Sequence, residues 1–312
     1  MPASIAIPNI VRARAQNLGE AGNRWLAELP QTVATIELAW SVTAGAVITG
    51  GSESLVLEAI RADGSNAIIK IGLPGSADLS MEARVYRLAG ESGFARLYEH
   101  EEVHNAVLLE RLGEPLGSRG LSMDAQIVHL CKSLNEVWIP LDAAHGLMTG
   151  AEKARWLINF IQEKWEALGR PGQERVIKQA LHFAEERERA HCAKDAVLVH
   201  GDAHPFNALA SLGSSENADP SYKFVDPDGL FAERACDLAV PMRDWCLELL
   251  AGDTRKEARQ RCELLSQLTG VEPEPIWQWG FVERVSTALV LIEIGEVREG
   301  AAYLEVAARV CD

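Results

Sequence analysis

Strand-like and helical patterning are segregated along this chain, and that segregation constrains the fold more than any other feature. From about Ser41 the texture is of short β-type runs, 46–48, 55–60 and 67–71, with turn-forming Asp63-Gly64-Ser65 between the last two. These predict an antiparallel meander. Asp78 or Ser80 then caps a helix that puts Met81, Val85 and Leu88 on one face until Gly90 and Gly93, and runs near 95–99 and 106–109 complete a small mixed region. After a polar, glycine-bearing joint at 111–118, helical periodicity dominates: 124–138, 151–168, 173–193, 235–250, 256–268, 275–294 and 297–310. One β-type interruption, 196–200, 208–212 and 222–226, is wedged between helical blocks, a place where loops carry sites.

The first forty residues read as helix interrupted at Pro30, with Trp25, Leu26, Leu29, Val33, Ile36 and Leu38 as apolar positions. The expectation is an α+β chain in three parts: a helical cap at 1–40, a small antiparallel-sheet lobe at 41–110, and a mainly helical lobe at 111–312. The polar stretch 213–221 reads as a mobile loop.

Charge narrows the ligand classes. With 45 acidic and 30 basic side chains among 312 residues the net charge is −15, which argues against a phosphate-backbone footprint and suits a cationic small ligand. Residues 1–112 carry 9 basic and 13 acidic groups, net −4, and residues 113–312 carry 21 and 32, net −11. No run approaches the ~20 apolar residues of a membrane span, and no signal-peptide core is visible, so a cytoplasmic protein is expected. Six cysteines without a C-x-x-C pair predict reduced, mostly buried thiols.

The densest polar cluster is His200-Gly-Asp-Ala-His-Pro-Phe-Asn207, followed by Phe224-Val-Asp-Pro-Asp-Gly229. Its H-G-D-x-H-x-x-N string fixes five positions, a chance match on the order of 10⁻⁴ over such a length. Phosphoryl transfer needs a carboxylate to accept a hydroxyl proton, oxygen ligands for Mg²⁺, and donors for nucleotide phosphates. Asp202, with Asn207 five positions on and Asp226 ending a strand, supplies the first two. In the pattern of a kinase-like fold, Lys70 in Ala67-Ile-Ile-Lys-Ile, Glu82 in the next helix as its ion-pair partner, and the Gly50-Gly51-Ser52 turn would supply the third, although a surface lysine, a solvated glutamate and a plain turn are the alternative readings of each alone.

At these residues the chain resembles the aminoglycoside phosphotransferase family, and within it the streptomycin 6-kinase and hydroxyurea phosphotransferase branch. Leu18-Gly-Glu-Ala-Gly-Asn-Arg-Trp-Leu, Leu108-Leu-Glu-Arg-Leu, Glu233-Arg-Ala-Cys-Asp-Leu-Ala and Phe281-Val-Glu-Arg-Val-Ser extend the likeness over nearly the whole chain. The resemblance implies a protein-kinase-like two-lobed fold using ATP and Mg²⁺ to phosphorylate a hydroxyl of a small acceptor. Asp202 would be the catalytic base, and Asn207 and Asp226 the metal ligands. Gly50, Gly51, Ser52, Lys70 and Glu82 would serve the phosphates, Glu110 and Leu112 the adenine, and Asp237 would brace the catalytic loop. Asp228, Glu233 and Glu283 are the candidate acceptor contacts, and Trp277 and Trp279 are candidate pocket walls with the core as their alternative place.

Three positions depart from the branch. Ala203 stands where Leu is common, Phe206 where a small residue is frequent, and Asp228 where Lys is often found. The last reverses a charge near the phosphates, which would assist a second metal or favour a more cationic acceptor. Two other readings compete: a kinase of a small neutral or amino-alcohol metabolite with the same fold, and a metal-dependent hydrolase or oxygenase using His200, Asp202 and His204 as ligands.

Overall fold

In the computed structural model, residues 5–51, 53–75, 78–212 and 220–311 are described. Most of the 213–221 loop and the turn residue Ser52 lie outside them. Contacts divide the described residues into two compact units, one over 5–113 with 211–212 and the other over 114–210 with 220–311.

The first unit opens with α1 (Asn9–Asn17) and α2 (Glu20–Trp40), which cross so closely that a Cβ on Gly22 would fall 1.7 Å from the Ala15 carbonyl oxygen, so only glycine fits there. Pro30 does not interrupt α2, contrary to the sequence expectation. The missing N–H and ring clash cost about 3 kcal/mol. Leu29, Val33 and Ile36 nevertheless continue one buried face against the sheet, each contributing roughly 1.5–3 kcal/mol. Leu38, expected on that face, is 84% exposed.

Five antiparallel strands follow: β1 (Val42–Ile48), β2 (Ser54–Arg61), β3 (Asn66–Gly72), then α3 (Leu79–Ala89), β4 (Leu97–Glu101) and β5 (Ala106–Glu110), in the order β1-β2-β3-β5-β4. The pleat sends Ile69 and Ile71 into the core beneath α2 and so turns Lys70, between them, to the other face. Asp78 caps α3 by accepting from the N–H groups of Ser80 and Met81.

The second unit contains α4 (Met123–Val137), the two-residue strands β6 (Ile139–Pro140) and β7 (Met148–Thr149), α5 (Gly150–Ala167), α6 (Glu174–Ala190), β8 (Val197–Val199), β9 (Ala208–Ala210), β10 (Tyr222–Phe224), β11 (Leu230–Ala232) and α7 (Ala235–Arg243). Then come α8 (Cys246–Ala251), α9 (Thr254–Thr269), α10 (Pro273–Glu293) and α11 (Val297–Val310). β9 and β10 pair as a hairpin, while β6, β8, β11 and β7 form a second small sheet. α10 is buried on nearly all sides, against α5, α6, α7, α9 and α11. Trp277 and Trp279 belong to that core, at 3% and 1% exposure.

The single helix expected over 235–250 is two helices. The chain breaks at Asp244 and Trp245, the latter at φ 54°. Two buried arginines hold the break: Arg261 donates to the carbonyls of Pro241 and Asp244, and Arg284 to that of Met242. They satisfy carbonyls that a continued helix would have bonded internally. Burial and the neighbouring Arg284 push Arg261 down to about 10.

Cys192 is exposed and the other five cysteines are buried, with burial raising the Cys131 and Cys262 thiols to about 12. Among the described residues no helix is long and apolar enough to cross a membrane.

Candidate active site

In the first unit, Lys70 and Glu82 form a buried ion pair, Nζ to Oε2 at 2.6 Å, with Tyr86 donating its hydroxyl to Glu82 Oε1 at 2.9 Å. The ammonium is thereby held by a carboxylate that α3 fixes in turn. Gly50, at φ 128°, and Gly51 carry the chain between β1 and β2. Glu110 donates its N–H to the Arg96 carbonyl and accepts from the Arg96 N–H on its carboxylate, so it is engaged in the sheet. Leu112 is buried just beyond the end of that ladder.

In the second unit, the 200–207 loop is built from backbone bonds around one buried carboxylate. Asp237 on α7 accepts from the N–H of His200 (2.9 Å), the N–H of Gly201 (2.7 Å) and the Trp138 indole (3.0 Å). Burial raises this carboxyl, and the three donors oppose the rise. The loop then closes on itself. Asn207 donates its side-chain amide to the Asp202 carbonyl at 3.0 Å, and His204 donates its N–H to the same oxygen at 2.9 Å.

Val225 donates its N–H to the Asn207 carbonyl at 2.9 Å, which brings the residue before Asp226 against the loop. Asp226 itself is exposed, in a left-handed conformation at φ 55° that is uncommon outside glycine. Gly229 donates to the His200 carbonyl at 2.9 Å, and a Cβ on Gly201 (φ 91°) would lie 2.8 Å from the Asp228 Cβ. The 226–229 turn and the 200–207 loop are thus one hydrogen-bonded assembly.

His200 is fully buried, with both ring nitrogens engaged: Nδ1 accepts the Asp202 N–H and Nε2 donates to the Val225 carbonyl. A ring so used has no lone pair for a metal, and among the described residues no three His, Cys, Asp or Glu side chains gather as a cage. The hydrolase or oxygenase reading through His200, Asp202 and His204 is therefore corrected: the histidines shape the loop. The side-chain oxygens of Asn207 and Asp226 are of the kind that would hold a hard cation such as Mg²⁺.

Asp202 is half-buried. Its Oδ1 accepts from Arg243 Nη2 at 2.8 Å, and its Oδ2 faces His204 Nε2 at 3.5 Å. Burial alone would raise this carboxyl, but the Arg243 guanidinium, with His204, holds it below the ordinary aspartate value. His204 is pushed down, chiefly by burial.

Glu283 and Glu233, expected to meet an acceptor, both hold side-chain partners within the second unit. Glu283 is buried between Lys153 (3.4 Å) and Arg243 (3.5 Å), and Glu233 accepts from the Trp279 indole at 2.8 Å and from Arg187 at 3.4 Å. Asp228 remains exposed. Phe206, 59% exposed, lies over Gly117, where a Cβ would stand 2.9 Å from its ring. Arg243 and Lys153 escaped sequence reasoning; an Arg-Asp pair inside the apolar run Ala239-Val-Pro-Met-Arg-Asp-Trp was the available signal for the first.

Comparison with known proteins follows the same lines. A family described as aminoglycoside/hydroxyurea antibiotic resistance kinase matches residues 39–295. The chain is 25% identical over 307 residues to streptomycin 6-kinase of Streptomyces glaucescens, covering 97% of this chain and 95% of the relative. To hydroxyurea phosphotransferase of Kitasatospora aureofaciens it is 28% identical over 298 residues, covering 95% and 83%. Among solved structures, choline kinase LicA of Streptococcus pneumoniae superposes with a TM-score of 0.60 at 14% identity, covering 90% of this chain and 98% of that one. Macrolide 2'-phosphotransferase MphH of Brachybacterium faecium gives 0.56 at 12% identity, covering 90% and 97%. The fold is that of protein-kinase-like phosphotransferases, α+β with an antiparallel-sheet part and a helical part.

Proposed function

The chain belongs to the aminoglycoside/hydroxyurea antibiotic resistance kinase family, and from that premise we propose that it transfers the γ-phosphoryl group of ATP to a hydroxyl of a small acceptor of the streptomycin or hydroxyurea type. The observation that carries this reading is Asp202, a carboxylate kept ionised on a loop whose backbone is fixed independently of its side chain. In the proposed step the acceptor O–H bond breaks and its proton passes to Asp202. The acceptor oxygen forms a bond to the γ-phosphorus, and the bond from that phosphorus to ADP breaks.

Lys70, fixed by Glu82, would hold phosphate oxygens, the Gly50-Gly51 turn would offer backbone N–H groups, and Leu112 would offer backbone groups to the adenine. Mg²⁺, held by Asn207 and Asp226, would neutralise phosphate charge. Asp228, beside Gly201 in the adjoining turn, remains a candidate acceptor contact alongside Glu233 and Glu283.

Measuring ADP formation across streptomycin, hydroxyurea, other aminoglycosides and small sugars or amino alcohols tests the proposal, with streptomycin expected to give the highest kcat/KM. Turnover of a neutral metabolite alone would sink the antibiotic acceptor and leave the kinase. Replacing Lys70 by Ala is expected to raise the KM for ATP at least about tenfold, and to destabilise the fold by up to about 3–5 kcal/mol because Glu82 is left buried without its cation. Steady-state ATP kinetics unchanged in that variant would remove Lys70 from the phosphate site.

A further inference from the structure

Arg243 sits at the last position of α7, and each of its guanidinium nitrogens meets a different carboxylate. Nη2 reaches Asp202 Oδ1 at 2.8 Å, Nε reaches Asp244 Oδ1 at 3.3 Å, and Nη1 reaches Glu283 Oε2 on α10 at 3.5 Å. The site of this fork is set by the break after α7, which Arg261 and Arg284 cap from α9 and α10. Lys153 on α5 holds Glu283 from its other oxygen at 3.4 Å and keeps its own charge through that contact despite burial. One guanidinium is therefore anchored by two carboxylates that have no place in the proposed chemistry, and presents its remaining edge to the one that does.

We propose that Arg243 is a positioning residue for phosphoryl transfer: it pins Asp202 through Oδ1 and leaves Oδ2 as the oxygen that receives the acceptor proton. This rests on the reading of Asp202 as the base. A guanidinium contact weakens a carboxylate as a base, so basicity is not what Arg243 supplies. In a loose phosphoryl-transfer transition state, placement of the hydroxyl matters more than the strength of the base that accepts its proton. The fork geometry is the reason for arginine, since a lysine ammonium cannot meet three separate carboxylates in one plane. The charged and titratable groups facing Asp202 are Arg243 and Asp244 at the end of α7, His200 and His204 in its own loop, and Asp228 in the adjoining turn.

The test pairs a spectroscopic readout with a kinetic one. The ¹³Cγ resonance of Asp202, assigned by its loss in Asp202→Asn, is titrated in the full-length wild type, Arg243→Met and Arg243→Lys. Turnover is measured in parallel with ATP and streptomycin. In Arg243→Met the Asp202 titration is expected to move upward and kcat to fall about 100-fold, with the KM for ATP unchanged. Arg243→Lys should restore the titration in part while kcat stays low.

An Asp202 titration unmoved by Arg243→Met, or full kcat in Arg243→Lys, would overturn the proposal. Should Arg243→Met fail to fold, Arg243→Ala supplemented with guanidinium is the second measurement: recovery of kcat supports positioning, and its absence in a folded variant refutes it. If wild type leaves streptomycin untouched, the proposed acceptor fails, and the titration still decides whether Arg243 governs Asp202.

Discussion

Asp202→Asn is expected to bind ATP with nearly wild-type affinity and to lose about 10²–10⁴-fold in turnover, the range ascribed to a general base. Titration calorimetry with ATP and a coupled ADP assay would measure the two halves of that statement. The substitution is conservative toward the fold, because the loop is held by the backbone of Asp202 and not by its side chain: the N–H goes to His200 Nδ1, and the carbonyl receives Asn207 Nδ2 and the His204 N–H. The amide oxygen of Asn can still accept from Arg243, so the variant removes the proposed proton acceptor while keeping its place. Wild-type turnover in this variant would end the assignment.

The same carboxylate sets a pH dependence. Its pKa lies below the ordinary aspartate value in the folded protein, so the basic form is fully present at neutral pH. The acid limb of kcat should fall only below the usual carboxylate range. The stability this group contributes is present above its unfolded pKa and is lost as pH falls through the depressed folded value. An acid limb near neutrality in the wild type would point to a different proton acceptor.

What the sequence disclosed depended on whether a feature was local. The three meander strands and the helix capped by Asp78 were visible because period-two alternation and a capping residue act within a few positions. The H-G-D-x-H-x-x-N string was visible because one loop carries five polar positions together. Lys70 and Glu82 could be paired in advance only through the kinase-like pattern of a strand lysine followed by a glutamate early in the next helix.

Arg243 lies forty-one residues from Asp202, and Glu283 another forty beyond it. No periodicity encodes such contacts, and they depend on a helix break that two distant arginines create. β6, β7 and β11, with two or three residues each, are too short to alternate at all. Pro30 misled for the opposite reason: a strong local breaker signal was overridden by three buried side chains whose benefit exists only once the sheet is in place.

Asp237→Ala should be the most destabilising single change in the second unit. The carboxylate is fully buried and accepts three N–H groups, two of them the backbone donors that begin the 200–207 loop. Alanine supplies no acceptor, and each donor stranded away from water costs about 1–3 kcal/mol. Partial rehydration would lower the sum, so a net loss of roughly 3–5 kcal/mol is expected against a total stability of about 5–15 kcal/mol. At about 2–4 °C per kcal/mol, calorimetry should show Tm falling by on the order of 10 °C. Trp138→Phe removes one donor and leaves the carboxylate bonded to the other two, so the hydrogen bond should account for only about 1 kcal/mol of its effect. The comparison separates a loop brace from ordinary packing, because Asp237 has the smaller side chain and the larger predicted effect. A melting temperature for Asp237→Ala within about 2 °C of wild type, well short of the shift those unsatisfied donors imply, would mean that the loop does not depend on this carboxylate.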